Sequence, residues 1–298
     1  MFRSGFAMPF AAGIALVVAL HPAAALCQAT PSKDAPAPAA AAPASPAQAD
    51  PNAAFLAKAS GIYYSTTKQG LTGFDCAVHP DWAGIFKTLE KKPATTADER
   101  TAYEKDVALL NSLKITLHVR LTGPGSGMDW EPGTMAPPDP DSLEMVDHMH
   151  QATGQNLQGF LQFWTPLVNG SVIPDTTSGI TVEKTETGHT IHAVDGSTNI
   201  TEVLDTGNVL KEFIVEMQGA KITFNPTYKP TPNGLLVSSF ATRIQPPGAT
   251  AEKQQKMNVG VEYQTVKGFL VLHTLTMDDV GMGTFAYTFD GCTVNPAP

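Results

Sequence analysis

From Gly179 to its C-terminal end, the chain repeats one pattern, in which a run of alternating apolar and polar residues is followed by a short turn. Alternation with a period of two puts every second side chain on the same face, which is typical of a strand with one buried face. Turns such as Gln218-Gly219 and Lys267-Gly268 are too short for a crossover, so neighbouring strands have to run antiparallel. The predicted strands span residues 180–182, 190–194, 200–204, 210–217, 220–224, 235–244, 257–266, 269–277 and 284–289. The pattern therefore predicts an antiparallel β-meander over residues 178–294.

The part before the meander, residues 52–170, mixes helical and strand patterns. Apolar residues recur every three to four positions in three segments, which predicts helices over 52–62, 98–113 and 141–165, with Pro166 ending the last one. Strands are predicted over 70–78 and 115–121, and a long Gly- and Pro-rich loop over 123–140 carries Trp130, which suggests a docked flap. A long sheet with one apolar face has to curl or be covered. We therefore expect a single α+β domain over 52–298, with a curved, largely antiparallel, half-barrel-like sheet covered by helices.

The N-terminal segment has the three parts of a secretory signal peptide. Arg3 is followed by an apolar stretch over 10–20 and by small residues at 23–25, and this stretch is shorter than the roughly 20 residues that a membrane span needs. We expect a signal peptide over 1–27, a disordered Ala/Pro-rich linker over 28–51, export to the periplasm or envelope of a bacterium, and no transmembrane anchor. Cys27 is either removed with the signal peptide or lipidated. Leu26 favours removal, because lipoprotein signals have a small residue at that position.

Two of the three cysteines remain once Cys27 is set aside. In an oxidising compartment, an even pair in a secreted chain usually forms a disulfide, which predicts a bond between Cys76 and Cys292. The alternative is two separate buried thiols.

The net charge and the lack of known catalytic motifs argue against several classes of function. The formal net charge of -9 argues against nucleic acid and against binding to anionic lipid by charge alone. No G-x-S-x-G nucleophile motif or phosphate-binding glycine loop occurs, and His148 and His150 are two residues apart on a predicted helix, so they point away from each other. We therefore expect no enzyme activity, no metal site and no cofactor. A hydrolase built from residues distant in sequence is a less favoured alternative.

The strand over 269–277 has apolar residues on both faces, which indicates burial on both sides. One face would pack on helices and the other on the flap or a ligand, and a filled two-layer core is the alternative. The residues that we expect to line a ligand site are Trp130, Trp164, Val261, Tyr263, Phe269 and Val271.

The order of strands and turns over residues 198–294 resembles that of the LolA/LolB-like lipoprotein-carrier superfamily of bacterial envelopes. The resemblance is carried by the strand pair over 259–275 with its Lys267-Gly268 turn and by the closing strand over 285–289, and it rests on turn placement. It implies a half-open antiparallel sheet around helices, with an apolar cavity for acyl chains, and it transfers no functional residue. The large insertion between Gly84 and Pro174 departs from that pattern.

We therefore expect a non-catalytic envelope protein that binds a lipid, an acyl chain, a lipoprotein or another apolar ligand. The alternative is a structural module of the envelope that binds a protein partner and no small molecule.

Overall fold

The computed structural model describes residues 50–89, 96–122, 126–131, 133, 140–169, 173–174, 177–281 and 283–297. The expected signal peptide, Cys27 and nearly all of the expected linker lie outside these ranges. In the described part of the chain, no helix is both long and apolar enough to cross a membrane.

Twelve strands form one open sheet, in which every strand runs antiparallel to its neighbours. The strands are β1 Leu71–Pro80, β2 Lys114–Arg120, β3 Gly127–Glu131, β4 Ile180–Thr185, β5 Gly188–Asp195, β6 Thr198–Asp205, β7 Leu210–Met217, β8 Ala220–Thr231, β9 Gly234–Gln245, β10 Gln255–Val266, β11 Phe269–Asp279 and β12 Gly283–Pro296. Their order across the sheet is β3-β2-β1-β12-β11-β10-β9-β8-β7-β6-β5-β4. The predicted antiparallel meander is confirmed.

Four α-helices accompany the sheet in the described ranges: α1 Pro51–Ser60, α2 Trp82–Leu89, α3 Ala97–Asn111 and α4 Pro140–Asn169. Helix α3 begins with a capping box, in which Thr96 accepts from the Glu99 amide at 3.2 Å and Glu99 accepts from the Thr96 amide at 3.0 Å. A 3₁₀ turn at Ala251–Lys253 precedes β10.

The first strand pairs with the last one, which places Cys76 beside Cys292. The ladder between β1 and β12 is shifted by a bulge beside Cys76, and Gly291 turns the opposite strand with a φ of 55°. The two sulfur atoms form the predicted disulfide, at 2.01 Å. Since Cys76 is buried within the core, the bond lies inside the sheet and not at its surface.

The larger of two cores lies on one face of β1, β2 and β7–β12, which we call the inner face. Register places Val215, Ile222 and Ile244 side by side across β7, β8 and β9, and places Phe213, Phe224 and Thr242 in the next row. Helix α4 contacts this face through its buried residues Leu157, Phe160, Leu161, Trp164 and Val168.

A second, smaller core lies under α1. Leu56 and Ala59 of α1 pack with Tyr63, Ile173, Ile191, Leu204 and Leu210. The segment after α1 is held by β9, because the Tyr64 amide donates to Leu235 O at 2.9 Å and the Leu235 amide donates to Ile62 O at 2.8 Å. This segment occupies the part of β9 that β10 does not reach, since the pairing of β9 with β10 stops at Ser239 and Gly260.

Two local predictions are wrong, and one helix was missed. The flap contains strand β3, which places Met128 and Trp130 opposite Leu117 and Ile115 of β2, and residues 123–125, 132 and 134–139 of the flap lie outside the described ranges. Helix α2 was not predicted.

Pro166 does not end α4, which continues to Asn169. The cost of an internal proline, roughly 3 kcal/mol, is offset because Val168 is fully buried and its carbonyl accepts from the amide and hydroxyl of Thr66, at 2.8 and 3.0 Å.

Candidate functional site

The structure brings together some of the predicted ligand-lining residues. Trp164 Nε1 donates to the Tyr263 hydroxyl at 2.9 Å, and that hydroxyl donates to Val237 O at 2.8 Å. Val261 and Val271 are buried in the same core, and Phe269 is half-buried against it. Trp164 and Tyr263 therefore join α4 to the sheet, whereas Val271 pairs with Gln264 and stands on the other face of the sheet from Tyr263.

Trp130 lies apart from that group. Its ring is 4.7 Å from His150 of α4 and 6.2 Å from Trp82 of α2, measured between centroids. Strand β3 and the two helices therefore form a separate aromatic contact at one edge of the sheet. The Trp130 Nε1 atom is buried there without a hydrogen-bond acceptor among the described residues.

The inner face beside α4 is rich in aromatic rings. Phe163 of α4 lies 4.6 Å from the ring of Phe224, which in turn lies 6.1 Å from Phe213 and 6.2 Å from Phe240. Contacts in which a ring edge approaches a ring face are among the arrangements that aromatic pairs favour. These aromatic residues were not among the ligand-lining residues predicted from the sequence, although Phe224 and Phe240 alternate with the polar residues of their strands and so belong to the apolar face.

Thr242 is a polar exception within this apolar face. It is 1% exposed, it stands between Phe224 and Met257 in the register, and its hydroxyl has no partner among the described residues. A buried hydroxyl without a hydrogen bond costs about 1 to 3 kcal/mol, so a partner is expected where a ligand occupies the face.

One end of the inner face reaches solvent. Met217, Ile244 and Met257 are all half-buried there, at the β7–β8 turn and the start of β10. A shallow surface hollow of about 290 Å³ adjoins this end and is lined by Met217, Ala220 and polar residues of β6–β8. Because this hollow is open and lined largely by polar residues, we interpret it as an entrance to the apolar face and not as a separate binding site.

The second core contains an acidic side chain that sequence analysis missed. Glu202 of β6 is 2% exposed, and its Oε2 atom has no hydrogen-bond partner among the described residues. Burial raises the pKa of this carboxyl to about 8, so it is protonated at neutral pH. Its sequence position gave a clue, because Glu202 stands in phase with Ile200 and Leu204, both of which are apolar.

Two further polar atoms of the second core lack partners. Tyr228 O–H and His189 Nδ1 are buried without a hydrogen bond among the described residues. Tyr63, whose ring lies 5.2 Å from that of Tyr228, is satisfied: its hydroxyl donates to Asn208 O at 3.0 Å and accepts from the Leu210 amide at 2.7 Å. Burial raises the pKa of Tyr63 to about 12 and that of Tyr228 further, with a smaller contribution from Glu202 in both cases.

A polar ladder crosses β1–β3 on the outer face. His118 lies between two carboxylates, with Nδ1 2.7 Å from Asp75 and Nε2 3.0 Å from Asp129, and Arg120 donates to Asp75 at 2.8 Å. The hydrogen bond to Asp75, followed by the one to Asp129, raises the pKa of His118 and favours an imidazolium that donates from both nitrogens. With both nitrogens occupied, this histidine is poorly arranged as a base, and we interpret the ladder as structural.

The histidines considered from the sequence do not converge. His148 faces Glu144 on α4 at 3.6 Å, and His150 contacts Trp130. His189 lies in the second core, whereas His192 pairs with Thr201 at 3.2 Å. In the described part of the chain, no three His, Cys, Asp or Glu side chains are grouped so that they can hold a metal ion.

Comparison with known proteins adds no relative: no protein-family model, no curated protein and no solved structure matches this chain.

Proposed function

We propose that this protein is a non-catalytic envelope protein that binds an apolar ligand, such as a lipid or an acyl chain, on the inner face of its sheet. In this proposal the sheet is a half-barrel and α4 is its cover. The ligand lies between α4 and strands β7–β10, and the two halves of the contact separate to admit it.

The observation that carries the proposal is the composition of this layer. It is formed by aromatic rings of α4 and of the sheet, and it continues to the half-exposed Met217, Ile244 and Met257. It also contains the Thr242 hydroxyl, which has no hydrogen-bond partner in the described part of the chain. Ligand sites for apolar molecules are generally lined by apolar and aromatic side chains with a few polar groups that fix the orientation of the ligand. The Thr242 hydroxyl is suited to hydrogen-bond the polar head of an acyl chain whose tail lies along the rings.

Helix α4 has features that suit a movable cover. Gly154 and Gly159 lower its helical propensity by about 1 kcal/mol each relative to alanine, and Pro166 removes one backbone hydrogen bond near its end. Methionine side chains at the half-exposed end can adapt to ligands of different shape, because they are unbranched and have several rotatable bonds.

The proposal is tested by titrating the detergent-free protein with cis-parinaric acid, a polyene fatty acid that fluoresces strongly in apolar surroundings. Thr242→Val keeps the shape of the side chain and removes the hydroxyl. We expect this variant to bind the acid about five- to tenfold more weakly, which corresponds to the loss of one hydrogen bond of about 1 kcal/mol. The unliganded variant should unfold at a higher denaturant concentration, because it no longer buries an unpaired hydroxyl.

Thr223→Val is the matched control, since Thr223 is a buried threonine on the opposite face of the neighbouring strand. We expect it to bind parinaric acid like the wild type. If the wild type fails to bind the acid at concentrations up to about 100 µM, or if both variants weaken binding equally, the inner face is not the ligand site.

A further inference from the structure

Three polar atoms that have no hydrogen-bond partner among the described residues lie in one small core, and all three can act as acceptors. Glu202 Oε2, Tyr228 O–H and His189 Nδ1 can each accept a hydrogen bond, the imidazole doing so when its proton is on Nε2. Register places His189 and Glu202 on the same face of β5 and β6, opposite Leu204 and Ile191. Tyr228 is close enough to Glu202 that the carboxylate affects its pKa. Folded proteins rarely leave several such groups unpaired in one place unless something else pairs with them.

Aromatic rings surround these acceptors. Tyr63 lies 5.2 Å from Tyr228, the ring of Phe55 lies 4.3 Å from that of His189, and Phe213 is the register partner of Glu202 on β7. The faces of aromatic rings attract cations, and the nearby carboxyl of Glu202 adds a full opposite charge once it has released its proton. The surroundings therefore favour a positively charged group over an anion or a neutral one.

No side chain of the described chain supplies that positive charge. Helix α1 offers Phe55, Leu56 and Ala59 to this core, and its Lys58 is exposed. Strands β4 to β7 present Ile180, Val182, Ile191, Leu204 and Leu210 besides the polar residues already named, and the nearest further acid is Asp205, whose carboxylate pairs with Lys211 at 3.1 Å. The carboxyl of Glu202 thus lies among apolar side chains and near the phenols of Tyr63 and Tyr228, with His189 on the same face of the neighbouring strand.

We propose that the second core is a binding site for a primary ammonium group carried on an apolar body. The ammonium group donates its three hydrogens to Glu202, Tyr228 and His189, and the apolar body replaces the side chains of α1. Entry requires α1 to move away from the core, beginning at Phe55 and His189, which are both half-buried and form its rim. Glu202 shares a register row with Phe213, Phe224 and Thr242, so this site lies on the same side of the sheet as the inner face, but nearer the β4 edge and under α1. It does not depend on the function proposed for the inner face.

Binding has a proton balance that can be measured. Below pH 8 the carboxyl of Glu202 holds a proton, and the incoming ammonium group keeps its own proton because its pKa lies well above neutral. Formation of the ion pair therefore sends the carboxyl proton to the buffer, and no bond other than that O–H is broken. Close to one proton should be released per ligand at pH 7, and the number should fall toward zero above pH 9, where the carboxyl is already ionised.

The experiment is isothermal titration calorimetry of the full chain with n-hexylammonium chloride at pH 7, in two buffers of different ionisation enthalpy. We expect saturable binding with proton release, and binding at least tenfold weaker for 1-hexanol and for hexanoate. Glu202→Gln keeps the shape and removes the charge, so it should bind hexylammonium at least tenfold more weakly, without proton release. Glu183→Gln removes an exposed acid from the neighbouring region and should bind like the wild type.

Each alternative result overturns the proposal. Absence of hexylammonium binding up to about 10 mM in folded protein means that the three acceptors hold no ammonium group. Equal affinity for 1-hexanol means that the core takes only apolar chains, and equal affinity of Glu202→Gln places the ligand elsewhere. Parinaric acid binding by Glu202→Gln serves as an independent readout, and it should equal that of the wild type whichever result is obtained here.

Discussion

Replacing Glu202 with glutamine should change how the stability of the protein depends on pH. The carboxyl has a pKa of about 8 in the folded protein, against a reference value of 4.5 in the unfolded chain. Between these values the folded state holds one proton more than the unfolded state, so the free energy of unfolding falls as pH rises. The slope approaches 1.36 kcal/mol per pH unit, and integration from pH 5 to pH 7 gives a loss on the order of 2 to 3 kcal/mol from this one residue.

Glutamine does not titrate, and it resembles the protonated carboxyl in shape and in hydrogen-bonding capacity. Glu202→Gln should therefore be slightly more stable than the wild type at pH 5 and more stable by about 3 kcal/mol at pH 7. The measurement is denaturant unfolding of both proteins at pH 5, 6, 7 and 8, with the disulfide kept oxidised. Subtracting the two curves removes contributions from His118 and other titrating groups, which the two proteins share.

Glu183→Gln is again the control, and its difference from the wild type should be small at every pH because Glu183 is exposed. A constant stability difference between Glu202→Gln and the wild type from pH 5 to pH 8 would refute the reasoning. It would mean that Glu202 is ionised in the folded protein and finds water or a partner in solution.

Two further predictions concern other parts of the sheet. Replacing both Cys76 and Cys292 by alanine should lower the free energy of unfolding by about 3 to 5 kcal/mol, because the disulfide closes a loop with a sequence separation of 216. As a control, the wild-type protein in reductant should unfold at the same denaturant concentration as this variant. In an NMR titration, Asp75→Asn should lower the pKa of His118 more than Asp129→Asn does, because the hydrogen bond to Asp75 is the larger cause of its increase. Since the folded pKa of His118 lies above the unfolded value of 6.5, the stability that His118 contributes should be present below pH 6.5 and lost as pH rises through the folded pKa. An NMR titration in which His118 shows its unperturbed pKa in the wild type would contradict this prediction.

The parts of the fold that could be predicted from the sequence are those with a local cause. The strands after Gly179 alternate regularly, and the turns between them are too short for any connection except a hairpin, so the meander and its antiparallel pairing follow from the sequence. The disulfide was predictable from cysteine number, because few pairings were left to choose from.

The parts that were missed depend on contacts between distant segments. Strand β3 is five residues long and lies in a stretch dense in Gly and Pro, and it is defined by its pairing with β2. Helix α4 continues past Pro166 because Thr66, far away in the sequence, bonds to its last carbonyls. For Glu202, alternation indicated the buried side of β6, but only the packing of α1 on that side explains why the acid is buried and has no ion-pair partner among the described residues.

The pairing of β1 with β12 has a consequence for the order in which the protein folds. The strands from β4 to β11 each find a neighbour within the next few dozen residues, so that part of the sheet forms through local contacts. Strands β1 to β3 are synthesised before the other strands, but they join the sheet only through β12, which is synthesised after the other eleven. Loop closure over this distance is slow, and the N-terminal strands wait with an unpaired edge until it occurs. In a chain that is cut short before β12, strand β11 should keep its pairing with β10, whereas β1 to β3 should lose their attachment to the rest of the sheet.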